Sequence, residues 1–334
     1  MRAVLATLGE GFRSVARNWG LVVLLLAVNL GLALLLAVPL TVQLERDLAH
    51  RGASVDMMYG FDHDWWSRWA EEQEGFARTF GPDILGTGFA FRNVDLLLRG
   101  HLPAGLFARR TRADDAPSDD PVVAIDPAVL GLGALYLIAQ AFLAGGLLGV
   151  FRTPQGGWTF RGLVHGCGFY FARILRVSLL ALFLAALVFA LNAPLSRWLD
   201  ERALAAVSET TALALGFGRH ALLILVLILV HMLSSYAKVI VVREERQSAA
   251  LALLSSLGFC ARHFFAALGQ YLAVIALLVL LLKAWAGVDA RLSVSGWTSQ
   301  LLALALLQLL VLGRIALRLG LLAGQLELNR TRGR

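Results

Sequence analysis

Two cysteines, two lysines, five tyrosines and eight prolines are all that a chain of 334 residues contains of these types, and no aspartate or glutamate falls inside any of its six long apolar runs. Each scarcity excludes something. A pair of cysteines builds no disulfide framework, so Cys167 and Cys260 read as small buried hydrophobes. Without carboxylates in the apolar runs, proton or sodium coupling of the familiar kind lacks its main residue type. There is no phosphate-binding glycine loop, no paired-histidine or paired-cysteine spacing, and no serine, histidine and aspartate set at one depth. Catalysis is therefore the least supported class, and no cofactor or metal is implied. Nucleic-acid motifs are lacking too. What is present is hydrocarbon: 58% of residues are hydrophobic, 16% are charged and the mean hydropathy is +0.70, values of a membrane protein.

The apolar runs are Leu21 to Val42, Ala128 to Phe151, Val177 to Leu195, Ala221 to Val242, Phe264 to Ala286 and Leu301 to Gly324. About 20 such residues cross a bilayer as a helix, so the expectation is an all-α polytopic protein with six transmembrane helices and both termini on one side. The first run follows Arg2, Arg13 and Arg17 but is too long for a signal peptide and reads as a retained anchor. Arginines crowd one end of every run: Arg152, Arg161, Arg173 and Arg176, then Arg243, Arg246 and Arg262, then Arg318, Arg330, Arg332 and Arg334. By the positive-inside rule that end, with both termini, is expected in the cytoplasm of a bacterial inner membrane, against anionic headgroups. Trp19, Trp158, Trp198, Trp285 and Trp297 fall beside run ends, where indole prefers to lie.

Three parts follow: residues 1–44 with an amphipathic helix and the first span, residues 45–126 outside, and residues 127–334 as a five-span bundle. The outer part carries −6 and the rest of the chain +13. Its Trp65, Trp66 and Trp69 sit at helical spacing, and Trp65, Trp69 and Phe76 share one face, as an interfacial helix requires. A second apolar stretch runs over Leu96 to Leu98 and Leu102 to Phe107, and Arg109 to Asp120 reads as a connector. Asp62-His63-Asp64 has metal-ligand chemistry but no distant fourth ligand, and reads as a turn or helix cap.

A short phrase recurs before the first, third and fifth spans: Gly11-Phe12 with Ala16-Arg17, Gly168-Phe169 with Ala172-Arg173, and Gly258-Phe259 with Ala261-Arg262. The unit it defines is a cytoplasmic amphipathic helix followed by two crossings, with Arg17, Arg173 and Arg262 at the interface. A threefold pseudosymmetry and mere positive-inside bias both account for it. With the stretch Tyr236-Ala-Lys238-Val-Ile-Val-Val-Arg243-Glu-Glu-Arg246, this arrangement resembles bacterial polytopic proteins such as the membrane domain fused to some glycerophosphodiester phosphodiesterases. The resemblance covers the spans, not the outer segment; no phosphodiesterase domain is present and it implies no catalytic residue.

Inside the runs lie Asn29, Gln140, Asn192, His231, Lys238, Gln270, Tyr271, Lys283, Gln308 and Arg314, with Arg318 one turn further. The amides read as interhelical glue, His231 as a hydrogen-bonded interior histidine, and the lysines as snorkelling. Arg314 and Arg318 form a basic stripe that either snorkels or holds a lipid phosphate. Ala141, Gly145 and Gly149 recur every fourth residue, a stripe that admits a close helix from this chain or a partner. Two functions fit: a non-catalytic subunit, assembly or scaffold factor docking other membrane subunits, and a carrier or lipid-handling protein for an anionic amphiphile. Abundant packing signals favour the first.

Overall fold

A peptide backbone in hydrocarbon must satisfy its own hydrogen bonds, and the apolar runs of this chain do so as helices. The computed structural model describes residues 2–49, 62–73, 77, 80–81, 127–153, 157–206, 208–292 and 297–332. Among them are nine helices and no strand: α1 (Arg2–Arg17), α2 (Trp19–Leu48), α3 (His63–Glu72), α4 (Pro127–Arg152), α5 (Phe160–Leu204), α6 (Glu209–Arg243), α7 (Ala249–Arg262), α8 (Phe264–Asp289) and α9 (Trp297–Arg332). Six, α2, α4, α5, α6, α8 and α9, are long and apolar enough to cross a membrane. The second apolar stretch and the connector of the outer segment lie outside the described residues.

Two of the three amphipathic helices end in a hinge. Asn18 (φ −113°, ψ 36°) separates α1 from α2, and His263 (φ −121°, ψ 32°) separates α7 from α8. At Asn18 the side chain stabilises the break, its amide donating to the Ser14 carbonyl at 2.9 Å while its Oδ1 accepts from the Trp158 backbone at 3.0 Å. The expected separate helix before the third span is corrected here. Residues 160–204 form one helix of 45 residues, because Arg173-Ile-Leu-Arg-Val177 holds no glycine, proline or capping side chain to stop it.

The threefold pattern is visible in the packing. Each amphipathic segment lies against the second span of the unit before it: α1 on α9, the start of α5 on α4, and α7 on α6. The three second spans, α4, α6 and α9, touch one another pairwise at the centre, with the first spans outside. Small residues set the close approaches. A Cβ on Gly11 would meet the Gly320 carbonyl and the Gly324 nitrogen at 2.6 Å, and one on Gly166 would meet the Gly146 Cα at 3.1 Å. In the third unit Ser256 is fully buried and the Phe259 and Tyr236 rings lie 5.2 Å apart.

Packing is concentrated at the arginine-rich end. At 1.5 Å per residue the 36 residues of α9 run about 54 Å, against roughly 30 Å of hydrocarbon. Its buried positions run from Leu310 to Asn329, whereas Leu301, Leu302, Leu304 and Leu309 at the other end are exposed. In α5 the apolar residues follow the same trend, buried at Leu163, Ile174 and Val177 and exposed at Leu182, Phe183 and Leu191, while the small polar Asn192 and Ser196 are buried again near its far end. The hairpins thus share a dense base and part toward the opposite end.

Candidate functional site

The base is threaded by polar side chains from distant parts of the chain. Gln270 of α8, wholly buried, donates to Thr7 Oγ1 at 2.8 Å and to the Gly324 carbonyl at 3.0 Å, and its Oε1 accepts from the Tyr236 hydroxyl at 3.0 Å. That one amide ties α1, α6, α8 and α9. Beside it Ser235 donates to Gln325 Oε1 at 2.6 Å, and the His231 ring and Tyr271 hydroxyl meet at 3.2 Å. Among the described residues the amide nitrogen of the fully buried Gln325 makes no hydrogen bond of good geometry.

Where α4, α6 and α9 end, Arg152, Arg243 and Arg330 converge. Cations are favoured at helix C-termini, whose last carbonyls lack intrahelical donors. Arg152 Nη1 donates to the Val242 carbonyl at 3.1 Å, and Arg243 Nη1 donates to the carbonyl and side-chain oxygen of Asn329. Val242 and Asn329 each directly precede the next arginine of the set, so the bonds run round the pseudo-threefold centre in one sense. The third link is absent among the described residues: Arg330 lies 3.6 Å from Glu327 on its own helix and makes no bond to Phe151, which precedes Arg152.

At that open link sits a cavity of about 210 Å³ lined by Glu10, Gly11, Ser14 and Arg17 of α1, Phe151 and Arg152 of α4, Arg243 of α6, and Ala323, Leu326, Glu327 and Arg330 of α9. Glu10 is paired with Arg13. Arg17 has neither an ion pair nor a hydrogen bond among the described residues. On the other flank Glu245 adopts φ 55°, a left-handed conformation that costs a residue with a Cβ about 1 kcal/mol or more. Two arginines hold it there: Arg152 pairs with its carboxylate at 2.7 Å and Arg173 donates to its carbonyl at 3.2 Å. Arg173 also lies 4.8 Å over the Phe169 ring.

The residues singled out in the sequence are distributed otherwise. Arg314 is half-buried on α9, and Arg318 is exposed beside a cleft of about 30 Å³ with Asn29 and Gln140, whose side chains are 3.4 Å apart. Ala141 and Gly145 are buried within this chain, and Gly149 is half-buried. A Cβ on Gly145 would lie 2.9 Å from Tyr170 Cβ, but on Gly149 it would meet only the Gly166 Cα at 3.9 Å. The tighter residue is Gly146, outside the four-residue stripe, whose Cβ would fall 2.5 Å from Cys167 Sγ and the Leu163 carbonyl. Arg262 is exposed.

Trp65 and Trp69 are turned inward rather than toward lipid, buried against Leu40, Leu44 and Leu48 at the projecting end of α2. The Trp69 indole donates to Asp47 at 2.8 Å, and Trp66, half-buried, donates to the Phe80 carbonyl at 2.9 Å. Asp62 caps α3 by accepting from the Trp65 nitrogen at 2.9 Å, and among the described residues no group of three metal-ligand side chains occurs. Sequence reasoning did not single out Gln325, Asn329 or Glu245. The only signal for the arginine set is that one arginine ends each second span. No protein-family model, curated protein or solved structure matches the chain.

Proposed function

We propose that the protein is a non-catalytic membrane subunit or scaffold factor, its arginine-rich base and termini in the cytoplasm of a bacterial inner membrane and its parted hairpins offered to other membrane subunits. The observation that carries this reading is how the interior amides and hydroxyls are used. Thr7, Tyr236 and Gln270 hydrogen-bond one another across helices, and Ser235 bonds Gln325, where a carrier needs such groups facing a path. The cleft beside Arg318 has about the volume of one water, too small for the headgroup of an amphiphile.

In-membrane photocrosslinking tests the proposal. A photoreactive residue at Leu182 or Leu304, both exposed on the parted ends, should give one discrete protein adduct, whereas one at the fully buried Ile174 should give only internal crosslinks. Adducts with lipid alone from both exposed sites would refute it.

A further inference from the structure

We propose that the cavity at the open third link of the arginine ring binds a phosphate group, carried by a lipid headgroup or as the free anion. The first reason is an excess of donors. A guanidinium offers five N–H groups, and the bonds of Arg152 and Arg243 use only their Nη1 atoms, while Arg17 uses none. These groups reach the cavity from α1, α4 and α6, with Arg330 from α9 completing the set.

The second reason is that the carboxylates there are already engaged. Glu10 pairs with Arg13 and Glu327 with Arg330, so no lining acid is left to neutralise Arg17. A phosphate carries four acceptor oxygens in a tetrahedron and suits arginines converging from several directions better than a planar carboxylate with two. The third reason is the pseudosymmetry. Two of three equivalent positions are closed by an arginine-to-carbonyl bond, and the third holds a volume of about 210 Å³ between Phe151 and Arg330. A phosphate accepting from Arg330, Arg152 and Arg17 closes the ring at that position. Gly11 lines the same space, and its lack of a side chain lets α1, and with it Arg17, come close.

The test uses the full chain in a mild non-ionic detergent, with dioctanoyl phosphatidic acid and inorganic phosphate as probes and dioctanoyl phosphatidylcholine as the comparison, read by native mass spectrometry and calorimetric titration. At least one of the first two should bind with unit stoichiometry and phosphatidylcholine more weakly. Arg17→Gln should weaken binding about tenfold, the usual loss for one charged hydrogen-bond partner. Because Arg17 is exposed and makes no ion pair or hydrogen bond among the described residues, that variant tests binding with little disturbance of the fold. Arg330→Gln should weaken binding similarly, and Arg314→Gln, which lies outside the cavity, should leave it within about twofold. Binding of phosphatidic acid alone assigns the ligand to a lipid, and binding of both assigns it to the phosphate itself. Failure of both probes, or unchanged affinity in Arg17→Gln, would overturn the proposal.

Discussion

Replacing Gly146 by alanine adds one methyl group where two helices nearly touch. The new Cβ would lie 2.5 Å from both Cys167 Sγ and the Leu163 carbonyl oxygen, more than 1 Å inside a normal contact of about 3.5 to 4 Å. The thiol can rotate away, but the carbonyl belongs to the backbone of α5 and moves only if that helix does. Overpacking of this kind costs about 1 to 3 kcal/mol, with backbone displacement at the upper end, and alanine returns up to about 1 kcal/mol of helix propensity. The net expectation is about 2 kcal/mol, roughly thirtyfold in the folding equilibrium. Two glycines on the same helix supply controls. A Cβ at Gly131 meets nothing within 4 Å and one at Gly149 only the Gly166 Cα at 3.9 Å, so both alanine variants should match or slightly exceed the wild type. Unfolding in mixed micelles of dodecyl sulfate and dodecyl maltoside, followed by circular dichroism, measures all three. A Gly146→Ala protein within about 0.5 kcal/mol of Gly131→Ala would refute the close approach of α4 and α5.

Gln270→Leu strands the Tyr236 hydroxyl and removes the bonds to Thr7 and the Gly324 carbonyl and should cost about 2 to 3 kcal/mol, whereas adding Tyr236→Phe should recover part of the loss in the same unfolding assay. Burial pushes the Cys260 thiol up from 9.0 to about 12, so the unfolded chain releases its proton first as pH rises. The associated stability is full below about pH 9 and is lost progressively toward pH 12, and Cys260→Ala should flatten that part of the stability profile. With Cys167 and Cys260 replaced by alanine, a cysteine at Ser208 and one at Thr331 should label from opposite sides of sealed vesicles with an impermeant maleimide; labelling from one side would refute the six-span path.

The six spans were legible because apolar length is a direct physical requirement of the bilayer, and their cores match the helices, which extend further at most ends. Which face of each span points inward was much less so. In lipid every face can be apolar, so Leu182 and Leu191, exposed, look in sequence like Leu148 and Leu319, which are buried. The repeated phrase marked the amphipathic segments but not their contact residues: Gly11 packs closely, in α5 the close contact falls two residues before the phrase, at Gly166, and a Cβ on Gly168 or Gly258 would meet nothing within 4 Å. The arginine ring was hidden for another reason. Arg152, Arg243 and Arg330 each look like ordinary positive-inside charges, and only the adjacency of three helices separated by many residues turns them into one cluster.

The contact of α1 with α9, sealed by Gly11 against Gly320 and Gly324, joins segments more than 300 residues apart. At a synthesis rate of about 5 to 20 residues per second, α1 waits roughly 15 to 60 seconds for the helix it packs against. Throughout that interval its Thr7, Leu8, Gly11 and Val15 face, buried in the finished protein, has only the membrane surface to rest on. A chain that stops short of Gly320 leaves that face of α1 uncovered, so the contact that closes the bundle is also the last one synthesis makes available to α1.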